Sequence, residues 1–137
     1  GAPVGSVLCG KRELFDRARR LRKMLGGGMR QAGVLAAAGI YALEHNIERL
    51  AEDHRHAELL AEGLREIDAF TVCREENQTN MLFLDLPVKQ AEAVKAFLAE
   101  RQILIGIGQR IRLVTNLDLT AGDIERTVEE FKTFFAG

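Results

Sequence analysis

Apolar residues recur every three to four positions along the first half of the chain, and this spacing predicts helices. The first helix covers "KRELFDRARRLRKML", residues 11–25, and carries only a narrow apolar stripe. It is expected to stop at the three glycines 26–28, because glycine weakens a helix and permits positive φ. From Met29 a much longer helical pattern continues to about Leu64.

The long helical pattern changes character near its middle. Residues 32–43 carry no charge on any helical face, so we expect them to be buried on all sides. Beyond them, apolar residues alternate with charges as in a helix with one exposed face. A single helix that passes between two such environments suggests a passage between two domains, which we place at residues 1–49 and 50–137.

After Gly63 the pattern predicts strands. Four are expected, in two pairs: "FTVCR" and "MLFLDL" around the turn "EENQTN" (75–80), then "ILI" (103–105) and "RIRLVT" (110–115) around "GIGQ". Pro87 is expected to open a helix between the pairs, and Thr120 with Asp123 resembles a capping box for a last helix. This order predicts an α+β layer sandwich with a small antiparallel or mixed sheet.

The apolar run "VGSVLCG" near the start of the chain predicts one more short, buried strand, Val4 to Cys9. The first fifty residues contain no other strand to pair with it. It is therefore expected to pair either with the later sheet or with a part of the protein outside this sequence.

Charge is balanced over the whole chain but not along it. The 19 basic and 20 acidic residues nearly cancel, which favours neither a nucleic-acid nor a membrane partner. Residues 11–30 contain eight basic and two acidic residues, so this segment alone is strongly cationic. It contains one aromatic residue, Phe15, and lacks the stacking platform of single-strand binders. A solvated face or a contact with a partner subunit explains it better.

The two cysteines and the uncharged runs indicate the compartment. Cys9 and Cys73 lie in apolar stretches without a CxxC motif, where a free cysteine behaves as a small hydrophobe. Such usage is typical of a reducing compartment. The uncharged run "QAGVLAAAGIYAL" is shorter than the roughly 20 residues of a membrane span, and we see no signal peptide. We therefore expect a cytoplasmic protein.

The three histidines predict no metal site. None stands four residues from another, so the spacing of a zinc-binding pair is missing. His54 falls on the apolar stripe of the long helical pattern and is expected to pack, whereas His45 and His56 are expected to be solvated. No catalytic role is expected for any of them.

The glycine-rich segment "RKMLGGGMRQAG" (22–33) has two interpretations that spacing leaves open. It is either a break between two helices or a phosphate contact, because glycine amides, a helix start and the flanking cations Lys23 and Arg30 suit an anion. It is not a Walker loop, since the lysine precedes the glycines, and it does not match GxGxxG.

Arg112 is the second candidate for ligand binding. Strand alternation places Ile111 and Leu113 on one face of the predicted strand, and Arg112 with Val114 on the other. An arginine among apolar strand residues can bind a carboxylate through two parallel hydrogen bonds. The alternative is an edge arginine exposed to solvent.

Four segments, in this order along the chain, resemble the C-terminal portion of low-specificity L-threonine aldolases: "GAPVGSVLCG", "RKMLGGGMRQAGVLAAAGIYAL", "QTNMLF" and "IRLVTNLDL". The resemblance implies the α/β, PLP-dependent transferase-like fold of type I, that of aspartate aminotransferase. Residues 1–49 would then be the end of the large domain that binds pyridoxal 5'-phosphate (PLP). Residues 50–137 would be the small C-terminal α+β domain.

The same resemblance implies a homotetrameric lyase that uses PLP to cleave L-threonine or L-allo-threonine to glycine and acetaldehyde. Arg112 matches the arginine that holds the substrate α-carboxylate. Arg30 matches the arginine that reaches the cofactor phosphate of a neighbouring subunit, and Lys23 matches a lysine that lines the active site. These matches favour the phosphate contact for the glycine-rich segment.

The Schiff-base lysine of the family stands in "SKGLG(A/T)PVGS", so it would precede Gly1. We therefore expect no catalytic residue in this chain, a missing N-terminal part of the same protein, and no activity of the chain alone. The chain's own lysines do not match that position: Lys11, Lys23, Lys89, Lys95 and Lys132. Two alternatives are a stand-alone α+β ligand-binding or interaction module formed by residues 65–137, and a nucleic-acid binder that uses residues 11–30.

Overall fold

The computed structural model of the chain describes residues 1–73 and 79–136. The chain divides into two compact units, residues 1–48 (unit 1) and residues 49–137 (unit 2). This division lies one residue before the one predicted from the sequence. The assignment of the two parts to a large and a small domain stays a prediction. Most of the predicted turn at 75–80 lies outside the described residues.

The regular secondary structure of unit 1 consists of helices. A short 3-10 helix, Arg12–Leu14, leads into α1, Phe15–Met24, and α2 follows at Gly33–His45. The prediction of a buried strand from Val4 to Cys9 was wrong, because this segment is irregular and exposed, and Val7 is 87% exposed. An apolar run forms a strand only where another strand satisfies its backbone groups, and unit 1 contains no described strand.

Helix α2 is not buried on all sides, contrary to the prediction. None of its residues is buried, and large apolar side chains such as Ile40 and Leu43 are exposed. An uncharged helix becomes buried only when neighbouring elements surround it, and unit 1 offers one other α-helix.

The pattern from Met29 to Leu64 forms two helices, so the prediction of a single helix was wrong. Helix α2 ends at His45, and α3 spans Leu50–Arg65. The break falls where unit 1 ends and unit 2 begins. Helical spacing of apolar residues continues across such a break, which is why periodicity alone did not reveal it.

Unit 2 packs helices against a small sheet. The remaining helices are α4, Val88–Ala99, and α5, Ala121–Ala136. The strands are β1, Thr71–Cys73, β2, Met81–Asp85, and β3, Arg110–Val114, in the spatial order β1-β2-β3. Both strand pairs are antiparallel, which confirms a mixed helix-and-sheet fold with an antiparallel sheet.

The predicted strand at residues 103–105 is absent. This segment has no ladder, and its Ile103 and Ile105 pack against the core while Leu104 is exposed. The alternation between core and solvent gives this segment a strand-like pattern, but no described strand pairs with it.

One face of the sheet carries the core of unit 2. Leu82 lies opposite Leu113 and Leu84 lies opposite Ile111, and all four side chains are buried. Large buried side chains from the three helices complete the core: Leu64, Leu98 and Phe131. The opposite face of β2 and β3 stays accessible, and it carries the arginine singled out from the sequence.

The predicted burial of two histidines was inverted. His54 is exposed, whereas His56 is buried together with Ala57 and Leu60, and neither ring nitrogen of His56 has a hydrogen-bond partner among the described residues. The prediction carried the helical phase of α2 through residues 46–49, where the helix is interrupted, and so selected the wrong face of α3.

Neither cysteine forms a disulfide among the described residues, and the Cys73 thiol donates to Oδ2 of Asp85 at 3.2 Å. Cys9, however, is exposed rather than packed, because its segment is not a buried strand. No helix among the described residues is long and apolar enough to cross a membrane.

Candidate functional site: a glycine turn and an unpaired strand arginine

Helix α1 ends in a Schellman motif centred on Gly26. This residue has a φ of +83°, a conformation that favours glycine. The Gly26 N–H donates to the carbonyl oxygen of Lys23 at 3.2 Å, and the Gly27 N–H donates to that of Arg22 at 2.8 Å. The predicted helix stop at the glycines is therefore confirmed.

Gly27 and Gly28 let the backbone pass close to the last turn of α1. A Cβ atom at Gly27 would lie 2.8 Å from Cγ of Arg22. At Gly28 it would lie 2.7 Å from Cδ and 3.1 Å from Nζ of Lys23. The Lys23 side chain thus lies along the backbone of Gly28, and the absence of a side chain there leaves room for its ammonium group.

A second cation and a helix start follow this turn. Arg30 is exposed, and α2 begins shortly after it without a side-chain cap at Ala32. The first N–H groups of a helix carry partial positive charge and lack intrahelical partners. Neither Lys23 nor Arg30 has an ion pair or hydrogen bond with any described residue. Glycine backbone, helix start and two unpaired cations are the donors that suit a phosphate group.

Arg112 lies on the accessible face of β3, as the sequence predicts. Ile111 and Leu113 on either side are buried, and Arg112 is exposed opposite Phe83 of β2. The predicted alternation along this strand is confirmed.

The neighbouring Arg110, two positions earlier on the same face, is already engaged. Its guanidinium carbon lies 4.8 Å from the centre of the Phe83 ring, and its Nε lies 3.7 Å from Oδ1 of Asp85. Arg112 has no hydrogen bond or ion pair with any residue that the structure describes. Of these two guanidinium groups, Arg112 is the one available to an external carboxylate.

A cavity of about 340 Å³ within unit 2 is lined by Arg112. The segment from Gln102 to Gly106 and the start of α5 form other parts of its wall. Its volume falls within the usual range for small-molecule sites, at the lower end. A cavity of this size suits a small ligand that carries a carboxylate.

The two charged side chains of α5 that line this cavity, Asp123 and Arg126, already form hydrogen bonds. The Thr120 hydroxyl donates to Oδ2 of Asp123 at 2.6 Å, and the Thr120 N–H donates to the same oxygen at 2.9 Å. These hydrogen bonds lower the pKa of Asp123 and confirm the predicted capping box. Arg126 donates to the carbonyl oxygen of Arg101 at 2.7 Å. Arg112 is thus the cavity's unpaired cation among the described residues.

Lys132 is poorly suited to act as a nucleophile. Its Nζ lies 2.8 Å from Oε2 of Glu66, and this hydrogen bond raises the pKa of Lys132. A lysine that forms a Schiff base must first lose its proton, so a raised pKa opposes that role. That no lysine of this chain forms the Schiff base stays a prediction.

The sequence predicted Lys23, Arg30 and Arg112 as ligand-binding residues, and the structure places them in two groups. Lys23 and Arg30 flank the glycine turn of unit 1, and Arg112 belongs to the cavity of unit 2. Sequence reasoning missed Asp85 and Phe83, which engage Arg110, because their relation depends on the β2–β3 register.

The family model of beta-eliminating lyases matches residues 1–87, more than half of the chain. The chain belongs to the beta-eliminating lyase family. Within it, the chain is 46% identical over 136 residues to the low specificity L-threonine aldolase of Escherichia coli K12, covering 99% of the chain and 40% of that protein. It is 42% identical over 137 residues to low-specificity L-threonine aldolase 1 of Arabidopsis thaliana, covering 96% of the chain and 38% of that protein.

A probable low-specificity L-threonine aldolase of Schizosaccharomyces pombe is 33% identical over 136 residues, covering 93% of the chain and 34% of that protein. The resemblance to this group of aldolases, stated above from four segments, is thereby confirmed. The chain spans about 40% of the length of the first two relatives.

Proposed function

We propose that the whole protein to which this chain belongs is an L-threonine aldolase, a lyase that cleaves L-threonine or L-allo-threonine to glycine and acetaldehyde. The identity to aldolases along nearly the entire chain supports this activity. The structural observation that carries it is Arg112, whose guanidinium has no partner in the described part of the chain and lines a cavity sized for a small amino acid.

Arg112 would bind the α-carboxylate of the substrate through two parallel hydrogen bonds. Because the bond to be broken is attached to the same Cα, a fixed carboxylate limits the orientations in which that bond can be presented. Asp85 and Phe83 contribute indirectly, since they engage Arg110 and leave Arg112 as the free guanidinium of the two.

The glycine turn of unit 1 fits the phosphate group of PLP. A side chain at Gly28 would occupy the space that the Lys23 ammonium group uses, so glycine keeps this cation beside the backbone. We propose that Arg30 binds the cofactor phosphate and that Lys23 lines the active site, both for a neighbouring subunit of a homotetramer. When bound, PLP accepts the electrons released as the Cα–Cβ bond breaks.

The remaining parts of the enzyme are proposed to lie outside this chain, which spans about 40% of its first two relatives. They include the Schiff-base lysine, so we expect the isolated chain to be inactive. Two cysteines without a disulfide among the described residues suit a cytoplasmic location.

The products formed from L-threonine test this function directly. Retro-aldol cleavage gives glycine and acetaldehyde, whereas β-elimination, which the family name suggests as a second candidate, gives 2-oxobutanoate and ammonia. We expect the whole protein with added PLP to release acetaldehyde and glycine in equal amounts. Formation of 2-oxobutanoate with no acetaldehyde would contradict the aldolase proposal and favour β-elimination.

A further inference from the structure

The end of β3 is held by a buried group of hydrogen bonds centred on Thr115. Thr115 is fully buried, and its hydroxyl donates to the carbonyl oxygen of Asp53 at 2.6 Å. Its N–H donates to the carbonyl oxygen of Asn80 at 3.0 Å, and its own carbonyl oxygen accepts from Nδ2 of Asn80 at 2.6 Å. Arg112 lies three positions earlier, on the opposite, accessible face of the strand.

The helix side of this group is also fixed. Asp53 belongs to the first turn of α3 and is only 4% exposed. Its carboxylate accepts hydrogen bonds from both terminal nitrogens of Arg49, at 2.9 and 3.2 Å. Such a two-bond pair has a defined geometry. The Thr115 hydroxyl therefore anchors β3 to a rigid helix start.

The hydroxyl contact is the part of this arrangement that requires threonine. The backbone bonds between β2 and β3 form with any residue except proline at position 115. Those bonds fix β3 only to β2, because β3 is an edge strand in the described sheet. The bond from Thr115 to Asp53 adds a link from the strand end to α3.

We propose that Thr115 is a positioning residue for Arg112, because its hydroxyl bond to Asp53 sets where the end of β3 lies relative to α3. This role rests on the proposed function, in which Arg112 binds the substrate carboxylate. Two parallel hydrogen bonds need both atom pairs aligned, so a small displacement of the strand weakens binding. Carboxylate binding is made in the ground state and the transition state alike, so its loss raises KM more than it lowers kcat.

The test compares four variants of the whole PLP-loaded protein in steady-state cleavage of L-threonine. Thr115→Val removes the hydroxyl at similar volume, and Thr115→Ser retains it. Thr133→Val is a matched control, because the Thr133 hydroxyl also donates to a helix carbonyl, that of Glu129 at 2.9 Å. We expect Thr115→Val to raise KM roughly tenfold with kcat within about twofold. Thr115→Ser and Thr133→Val should stay close to the wild type, and Arg112→Lys should raise KM.

Different results separate this role from the proposed function. If Arg112→Lys raises KM and Thr115→Val leaves it unchanged, the positioning role is overturned while the function stands. If Arg112→Lys leaves KM unchanged, both are overturned. A Thr115→Val variant that loses kcat at constant KM would show a general structural role and overturn the inference.

A second variant covers the case in which Thr115→Val does not fold. Thr115→Ala also removes the hydroxyl that donates to the Asp53 carbonyl oxygen, and it places no γ-methyl group against that oxygen. We expect the same rise in KM with little change in kcat, and an unchanged KM would overturn the positioning role.

Discussion

Helices α3 and α5 approach each other closely at Gly63, and Gly63→Ala is expected to destabilise unit 2. A Cβ atom at Gly63 would lie 2.7 Å from both methyl carbons of Val128 and 3.3 Å from its Cβ. Val128 is itself buried in the core. A rotation about its χ1 would relieve at most one of the two methyl contacts, so the helices must separate or distort.

Two opposing contributions set the size of this effect. Overpacking a core costs about 1–3 kcal/mol, and replacing a mid-helix glycine by alanine gains about 1 kcal/mol. We therefore expect Gly63→Ala to lower the free energy of unfolding by about 1 kcal/mol, and by about 2 kcal/mol at most. Val128→Ala removes both methyl carbons, and it should cost about 1–2 kcal/mol on its own through lost burial.

The decisive comparison is the same glycine substitution in the Val128→Ala background. Only the Cβ at 3.3 Å remains there, so the helix-propensity gain should prevail and Gly63→Ala should become neutral or stabilising. Urea unfolding followed by far-UV circular dichroism measures all four proteins of this cycle. Gly122→Ala is the matched control, since its Cβ would meet only Oγ1 of Thr120, at 3.8 Å. An equal destabilisation by Gly63→Ala in both backgrounds would refute the close approach of Gly63 and Val128.

Two further predictions concern unit 2. Hydrogen bonds from the hydroxyl and N–H of Thr120 lower the pKa of Asp123 below its ordinary value of 3.8. The ionised carboxylate therefore stabilises the fold at pH values above 3.8, and this contribution is lost as the pH falls through the lowered pKa. Asp123→Asn should therefore flatten the acid limb of a plot of urea midpoint against pH, and an unchanged limb would count against the cap. Residues 49–137 contain a complete core and should unfold cooperatively without unit 1, whereas a gradual melt would show that unit 2 depends on the rest of the chain.

The elements that the sequence predicted well are those defined by local chemistry. The stop of α1 depends on Gly26 adopting positive φ, and the start of α5 depends on Thr120 and Asp123 bonding each other. Both signals lie within a few residues. The strand at 110–114 could be predicted from local sequence as well, because buried and exposed residues alternate along its whole length.

The predictions that failed depend on distant parts of the molecule. Residues 4–9 and 103–105 are apolar enough for strands, but a strand also requires a ladder partner that no local pattern reveals. The burial of His56 instead of His54 depends on where α3 starts, because four non-helical residues reset the helical phase. The exposure of α2 likewise reflects which elements surround it.

In the candidate site, too, local features were predicted correctly and features that depend on distant residues were not. Alternation alone placed Arg112 on the accessible face of β3, and this is confirmed. That Arg112 has no partner within residues 1–73 and 79–136 could not be predicted, because it depends on Asp85 and Phe83 engaging Arg110 across the strand pair. The ligand roles of Arg112, Lys23 and Arg30 come from the resemblance to aldolases and stay predictions.

The most direct test of the account is the KM for L-threonine of the whole PLP-loaded protein carrying Arg112→Lys, measured beside Arg110→Lys. Lysine keeps the positive charge but cannot form the two parallel bonds of a guanidinium. A lost hydrogen bond between charged groups is worth about 1.5–3 kcal/mol, so we expect Arg112→Lys to raise KM by at least roughly tenfold. Arg110→Lys should leave KM within about twofold, because Arg110 is engaged by its neighbours. An unchanged KM for Arg112→Lys, or an equal rise for both variants, would contradict the assignment of the substrate carboxylate to Arg112.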